Sequence, residues 1–281
     1  MSGDPLAAPR IVLVAGHEAG GGADLDDYAA ALTGAVVTGA GRQLHNVVTS
    51  ILGVAGTRVV VVPMTFGRNP TMVADAAKTL RWLADGDGRG RVALAASFGT
   101  LDHLTAWLRK AANETVARSP GAAVVLAARR ANPFDDAELH RVAHLVRTHG
   151  AGNEVEVSCT NTGAAVAGTL ERLRLLGWDE AVIVPAGFAR TYDAELSGAL
   201  GGARFYGPLM SENAVLNVIT DRVRAADHDL SHGRDGIAAG LEADHGHGYA
   251  HSHAFELDAA TAGHAHPHPH AAPHARLTHD H

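Results

Sequence analysis

Short apolar runs alternate with helical patterns along most of the chain. Ile11–Gly16, Arg58–Pro63 and Arg91–Ser97 are rich in branched side chains and bounded by turn residues, which is typical of strands buried on both faces. Between them, Gln43–Val54 and Thr71–Ala84 place apolar residues at helical spacing. This alternation predicts an α/β fold with parallel sheets and right-handed crossovers.

The second half of the chain repeats the pattern of the first. Ala123–Ala128 corresponds to Ile11–Gly16, and Ala181–Pro185 corresponds to the strand that ends at Pro63. The repeat predicts two similar lobes, residues 1–118 and 119–226, each a parallel sheet flanked by helices, facing each other across a cleft. Near the end of the second lobe, the pattern predicts a short helix at Tyr192–Leu200 and a closing helix at Glu212–Ala225.

The composition changes at Asp227. Residues 227–281 contain 13 of the 19 histidines and few large apolar residues, so we expect a disordered tail that cannot form a core. Alternating histidines favour nickel, cobalt, copper or zinc, and the densest run supplies the predicted metal ligands. Those ligands are His264, His266, His268 and His270. The alternative is a purely solubilising segment.

Charge and composition exclude several classes of function. The net charge is −7, and because most of it lies in the tail, the body has no basic surface of the kind that binds nucleic acid. No apolar run approaches the ~20 residues of a membrane span. Residues 1–10 lack the pattern of a signal peptide. The single cysteine, Cys159, rules out an internal disulfide, and a cytoplasmic location fits; a homodimer is left open.

The first strand ends at a candidate site. Ligands of parallel α/β sheets bind beyond the carboxyl ends of the strands, where His17 and Glu18 stand. His45 and His103 also follow strands of the first lobe, so two or three of these histidines could share one metal ion. The alternative for His45 and His103 is an ordinary solvent-facing position at a helix start. Glu18 is the candidate proton acceptor, or else a loop carboxylate in water.

Other residues near strand ends suggest binding roles. Arg68, Arg129 and Arg190 follow strands and could bind carboxylates in a bidentate manner, or could be scattered surface residues. The glycine-rich loop after His17 could instead cradle a phosphate, but it matches neither nucleotide-binding pattern, so we expect no nucleotide cofactor.

The ordered set of motifs resembles the class II tetrapyrrole chelatases, the cobalt- and iron-type sirohydrochlorin chelatases. The chain opens with a strand followed by Gly16-His17, and each half contains a short Gly turn before a strand that ends in proline, at Gly56 to Pro63 and Gly177 to Pro185. The resemblance covers about residues 10–225, and some cobalt-type members also end in a histidine-rich tail.

The resemblance implies insertion of a divalent metal into a dianionic macrocycle, with loss of two pyrrole protons. In that family a histidine at the first strand end acts with a second histidine and a glutamate. Here the first is His17, the second position falls on Thr71, and the glutamate's place near Thr38 holds no carboxylate. Arg129 occupies the place that corresponds to His17 in the second lobe. Thr71 and the three arginines are therefore assigned to the substrate.

Three functions follow as hypotheses. The first is a chelatase that inserts cobalt, nickel or iron, most readily cobalt, into a sirohydrochlorin-type tetrapyrrole in cobalamin or sirohaem biosynthesis. The second is a non-catalytic chelatase-fold protein that stores or delivers metal. The third is a pair of lobes that binds another small anion through Arg129 and Arg190.

Overall fold

The computed structural model describes residues 8–150, 152–160, 163–191 and 203–244. Within these residues the chain forms two four-stranded parallel sheets flanked by helices, and the strand order of the two sheets is the same: β2-β1-β3-β4 and β6-β5-β7-β8. The predicted fold class and the internal repeat are therefore confirmed. The predicted helix Tyr192–Leu200 lies outside the described residues.

The strands differ from their predicted bounds by a few residues at most. They are β1 (Arg10–Ala15), β2 (Val36–Thr38), β3 (Val59–Met64), β4 (Val92–Leu94), β5 (Ala123–Ala128), β6 (Val155–Cys159), β7 (Ala181–Pro185) and β8 (Arg204–Phe205). The helices in the described residues are α1 (Asp26–Ala31), α2 (Arg42–Leu52), α3 (Pro70–Ala84), α4 (Leu101–Arg118), α5 (Pro133–His149), α6 (Gly163–Leu175), α7 (Glu212–Ser231) and α8 (Ile237–Leu241).

The segment after β1 winds through 3-10 turns rather than entering a helix directly. It spans His17–Leu25, and Gly20, Gly21 and Gly22 take φ values of 60°, 69° and 121°. Glycine adopts this region without the steric cost that a Cβ imposes, so the three glycines let the chain turn back sharply here. The turn delays the start of α1 and keeps His17 and Glu18 against the sheet edge.

One apolar core runs through both lobes. Side chains of a strand alternate between the two faces of its sheet, so in β1 Leu13 and Ala15 lie on one face while Val12 and Val14 lie on the other. The Leu13 face belongs to a core cluster that continues through α4, α5 and α7 to Val124 and Leu126 of the second sheet. Both lobes therefore belong to one compact unit.

Two helices cross between the lobes. α4 follows β4 of the first sheet but contacts β7 of the second, and α7 follows the second sheet but contacts β3 and β4 of the first. Val215, Ile219 and Val223 of α7 are buried in the shared core. Each sheet is thus covered on its inner side by a helix from the other half of the sequence.

The ordered chain extends beyond the composition shift at Asp227. α7 runs to Ser231, α8 packs against α3 and β4, and the amide of Leu94 donates a 2.8 Å hydrogen bond to the carbonyl of Asp235. The prediction of a disordered tail from residue 227 is therefore wrong for residues 227–244, because Leu230 and Ile237 supply apolar side chains that are buried. No helix in the described part of the chain has the length and apolar character to cross a membrane.

Candidate functional site

His17 lies where the two lobes touch. It follows β1 at the carboxyl edge of the first sheet, and its side chain is 14% exposed. The ring atom Nε2 is 3.2 Å from the carbonyl oxygen of Arg68 and 3.2 Å from Oδ2 of Asp135. Asp135 stands in the first turn of α5, which follows β5 of the second sheet. Nδ1 is buried and has no hydrogen-bond partner among the described residues. The histidine therefore faces the opposite lobe through a direct contact and not across an open cleft.

Glu18 is an internal structural carboxylate. It is 5% exposed and accepts hydrogen bonds from the Thr65 hydroxyl, from the amide of Phe66 at 3.0 Å and from the amide of Arg68 at 3.2 Å. Buried carboxylates need such donors because desolvation of an unpaired charge is costly. These bonds fix the loop after β3 against the loop after β1. They also engage both carboxylate oxygens. A proton acceptor needs an available oxygen, so this arrangement does not favour the predicted role of Glu18.

Arg68 is buried within the contact between the lobes, not displayed to a ligand. The residue is 1% exposed, its Nε donates to the carbonyl of Asp135 at 3.3 Å and its Nη1 to the carbonyl of Ala186 at 3.5 Å. Nη2 lies 3.8 Å from a carboxylate oxygen of Asp136. The sequence places Arg68 correctly at a strand end. Because its guanidinium bridges the lobes, the structure assigns it to their interface instead of to the predicted substrate contact.

Arg129 and Arg190 also contact the opposite lobe. Arg190 pairs with Asp27 at 3.3 Å and Glu212 at 2.9 Å, and its guanidinium carbon lies 5.2 Å from the centre of the Tyr28 ring. Arg129 packs beside Gly20, and its charge lowers the pKa of Asp24, which burial raises by a larger amount. Asp27 and Glu212 therefore pair with the Arg190 guanidinium that was predicted to bind a substrate carboxylate, and the Arg129 guanidinium lies near the Asp24 carboxylate.

His17, His45 and His103, of which two or three were predicted to share one metal ion, are not grouped as a metal site in the part of the chain that the structure describes. Among residues 8–150, 152–160, 163–191 and 203–244, no three His, Cys, Asp or Glu side chains are grouped as a metal site requires. His45 and His103 follow β2 and β4, the two outer strands, which stand roughly 14 Å apart at the usual strand spacing. His103 instead caps α4, where its Nδ1 accepts a 3.1 Å hydrogen bond from the amide of Thr100.

The two positions where the resemblance implies a glutamate and a second histidine carry threonines whose hydroxyl groups have other partners. Thr38 is buried, and its Oγ1 donates to the carbonyl of Gly39 at 3.2 Å. Thr71, in the first turn of α3, has its Oγ1 3.5 Å from a carboxylate oxygen of Asp244. The predicted tail ligands His264, His266, His268 and His270 lie outside the described residues.

A cavity of about 410 Å³ opens at the same edge of the first sheet. Thr65 and Gly67 after β3 and Ser97 and Gly99 after β4 form its floor, and Arg141 of α5 contributes from the second lobe. The first turns of α3 and α4 also line it. Arg141 and the N-terminus of α3 favour an acidic group in this cavity, whereas the Asp102 carboxylate in the first turn of α4 disfavours one on that side.

Sequence reasoning missed the residues that close the lobes together. Phe66 and Phe98 of the first lobe pack with Phe188 of the second, with ring centres 5.0–5.2 Å apart. Asp135 and Asp136 follow the strand that repeats β1, and the internal repeat was the signal that could have placed them at the facing edge.

Cys159 ends β6, and its thiol pKa is raised to about 11 by burial and by the neighbouring Asp136 carboxylate.

Comparison with protein-family models gives no match, and comparison with curated proteins gives none. Among solved structures, SirB from Bacillus subtilis with Fe³⁺ is 17% identical with a TM-score of 0.45, covering 81% of this chain and 98% of that one. DR2241 from Deinococcus radiodurans, described as a multi-domain protein with structural similarity to chelatases, is 18% identical with a TM-score of 0.44, covering 77% and 55%. An ABC transporter solute-binding protein from Conexibacter woesei is 15% identical with a TM-score of 0.46, covering 84% and 82%.

Proposed function

We propose that this chain is a chelatase-like protein that inserts a divalent metal, with cobalt as the expected ion, into a sirohydrochlorin-type tetrapyrrole. The observation that carries the proposal is the placement of His17, which follows the first strand, faces the second lobe and keeps one ring nitrogen without a partner among the described residues. A neutral imidazole nitrogen can hold a borderline metal ion or accept a proton near neutral pH.

The reaction exchanges one M²⁺ for two pyrrole protons. His17 would accept one of these protons or hold the ion before transfer, and solvent would take the other proton. The cavity beside Thr65 and Ser97 would receive an edge of the macrocycle, with a carboxylate near Arg141 and the first turn of α3. Since His17 is 14% exposed, access of substrate to the ring requires the lobes to part locally.

The test is anaerobic incubation of the protein with sirohydrochlorin and Co²⁺, Ni²⁺ or Fe²⁺, followed by absorption spectroscopy. We expect insertion above the uncatalysed rate, lost in His17→Ala. His45→Ala is the matched control, because that histidine follows an outer strand, and it should keep the wild-type rate. Insertion at the background rate in the wild type, or at the wild-type rate in His17→Ala, contradicts the proposal.

A second candidate is storage or delivery of metal without catalysis. It is favoured by the hydroxyl groups of Thr38 and Thr71 at the positions of the family's other ligands and by the engagement of Arg68 and Arg190 in contacts between the lobes. In this function the histidines of residues 245–281 would hold the ion. Binding of Co²⁺ or Ni²⁺ without any insertion into the macrocycle would distinguish it from the chelatase.

A further inference from the structure

Two hydrogen-bond acceptors converge on a single nitrogen of His17. Nε2 lies 3.2 Å from the carbonyl oxygen of Arg68 and 3.2 Å from Oδ2 of Asp135. A carbonyl oxygen only accepts, and an ionised carboxylate only accepts. Both contacts are therefore favourable only when Nε2 carries the proton. In the neutral ring the other nitrogen, Nδ1, then bears the lone pair.

Nδ1 is the atom that the fold leaves without a hydrogen bond. It is buried and has no partner in the described part of the chain, although a buried polar atom that makes no hydrogen bond costs about 1–3 kcal/mol. An unpaired buried atom of this kind calls for an explanation, and a catalytic or ion-binding role is one of them. An Nδ1 lone pair that binds a metal ion or accepts a proton during the reaction would explain why this atom has no partner.

Asp135 is itself held rigidly. Its Oδ2 accepts from Nδ2 of Asn132 at 2.9 Å, its amide donates to Oδ1 of Asn132 at 3.0 Å, and its carbonyl accepts from Nε of Arg68. It stands in the first turn of α5, where the helix dipole stabilises negative charge. The carboxylate therefore presents a fixed oxygen to His17.

We propose that Asp135 is a positioning residue that, together with the Arg68 carbonyl, fixes His17 with its proton on Nε2 and so makes Nδ1 the atom that receives the metal ion or the pyrrole proton. The role in metal insertion rests on the proposed function. The partner of a metal-binding histidine commonly sets its tautomer in this way. Because Asp135 belongs to the second lobe, the orientation of the ring in the first lobe depends on the contact between them.

The tautomer can be observed directly by ¹⁵N nuclear magnetic resonance of the full chain labelled at histidine. The His17 signals are identified by their loss in His17→Gln. We expect the wild type to show the Nε2–H form, and Asp135→Ala to show a mixture of forms because one acceptor is lost. Asp135→Asn should retain the Nε2–H form, since an amide oxygen can replace Oδ2 as the partner of both His17 and Asn132.

Asp136→Ala is the matched control. It removes the same charge from the next residue of α5, where the carboxylate contacts Arg68 and the amide of Ala131 instead of His17. We expect this variant to keep the wild-type tautomer. A wild-type spectrum with the proton on Nδ1 overturns the proposal without any variant, as does a tautomer that is unchanged in folded Asp135→Ala.

Addition of Co²⁺ alone gives a second measurement at the same ring. The wild-type Nδ1 signal should respond to Co²⁺, and Asp135→Ala should need an ion concentration about tenfold higher or more. A response at Nε2, or an equal response in Asp135→Ala, overturns the proposal. If the tautomer and the Co²⁺ response behave as expected but sirohydrochlorin receives no metal, the proposed function fails and the role of Asp135 stands.

Discussion

The carbonyl of Glu18 accepts a 3.0 Å hydrogen bond from the amide of Phe188, so the backbone after β1 is joined directly to the backbone after β7. The neighbouring residue is Gly187, and a Cβ added there would lie 2.4 Å from the Glu18 carbonyl oxygen. The close approach of the lobes therefore depends on the absence of a side chain at Gly187.

We expect Gly187→Ala to lower the free energy of unfolding by about 1–3 kcal/mol, because the added methyl group forces the two backbones apart. Urea denaturation followed by circular dichroism measures the loss. Gly168→Ala is the control, since a Cβ added at Gly168 in α6 meets nothing within 4 Å. That change should be neutral or stabilising by up to about 1 kcal/mol. Equal effects of the two substitutions would contradict the steric explanation.

Glu18→Gln should destabilise the fold by about 1–3 kcal/mol. The Glu18 carboxylate now accepts hydrogen bonds from three donors, which are the Thr65 hydroxyl and the amides of Phe66 and Arg68. The NH₂ of a glutamine side chain cannot accept, so at least one of these donors would lose its partner. The exposed Glu242 provides a matched control, and Glu242→Gln should change stability by less than about 0.5 kcal/mol. If Glu18→Gln kept full stability and lost metal insertion, Glu18 would be the proton acceptor that the sequence suggested.

Arg68→Met should reduce the free energy of unfolding by about 3 kcal/mol, since it removes the cation that pairs with the Asp136 carboxylate and the donor that serves the carbonyls of Asp135 and Ala186. Thermal and urea denaturation report the change. Arg224→Met is the comparison: its pair with Asp221 is exposed on both sides and should contribute less than about 1 kcal/mol. A fully stable Arg68→Met protein would restore Arg68 as a candidate substrate contact.

Cys159 should react slowly with iodoacetamide at pH 8, because burial and the Asp136 carboxylate raise the pKa of its thiol from 9.0 to about 11. The stability that the protonated thiol contributes is fully present below pH 9.0 and is lost as the pH rises towards about 11. The pH dependence of the alkylation rate measures the pKa of the Cys159 thiol. Asp136→Asn should move the rise in rate to lower pH; a rise centred near pH 8.5 in the wild type would contradict the assignment.

Residues 245–281 contain 11 histidines, and their removal should abolish most Co²⁺ or Ni²⁺ uptake in calorimetry. The deletion should begin after Asp244, because α8 packs against α3 and β4 and its loss would disturb the fold. Uptake by the full chain should fall as the pH drops below the imidazole pKa of roughly 6.5. Equal uptake by the full and shortened proteins would show that these histidines do not bind the metal.

The sequence predicts the layers of the fold well because buried parallel strands have a local signature. Val59–Met64 and Ala181–Pro185 are nearly continuous apolar runs, and their repetition predicts two similar lobes, each built on a parallel sheet. The prediction was less accurate at the tail, because the composition shift at Asp227 concealed two apolar positions, Leu230 and Ile237, that bury against the body.

The candidate site was harder to predict, since it depends on which strands are neighbours and on which charges meet. His17 follows a central strand, β1, whereas His45 and His103 follow the two outer strands. Periodicity contains no information on strand order. Periodicity also does not show that Arg68 contacts Asp135, which is 67 residues away in sequence. Arginines that lie between the lobes were therefore predicted to bind a ligand.

The crossing of α4 and α7 constrains how the protein is made. The inner face of the first sheet is complete in sequence by residue 94, yet the helix that covers β3 and β4 is not synthesised until residues 212–231. A nascent chain at the midpoint of translation therefore presents an uncovered valine-rich surface. We expect this intermediate to need a chaperone or rapid elongation, and a ribosome paused between residues 120 and 210 to yield aggregation-prone chains.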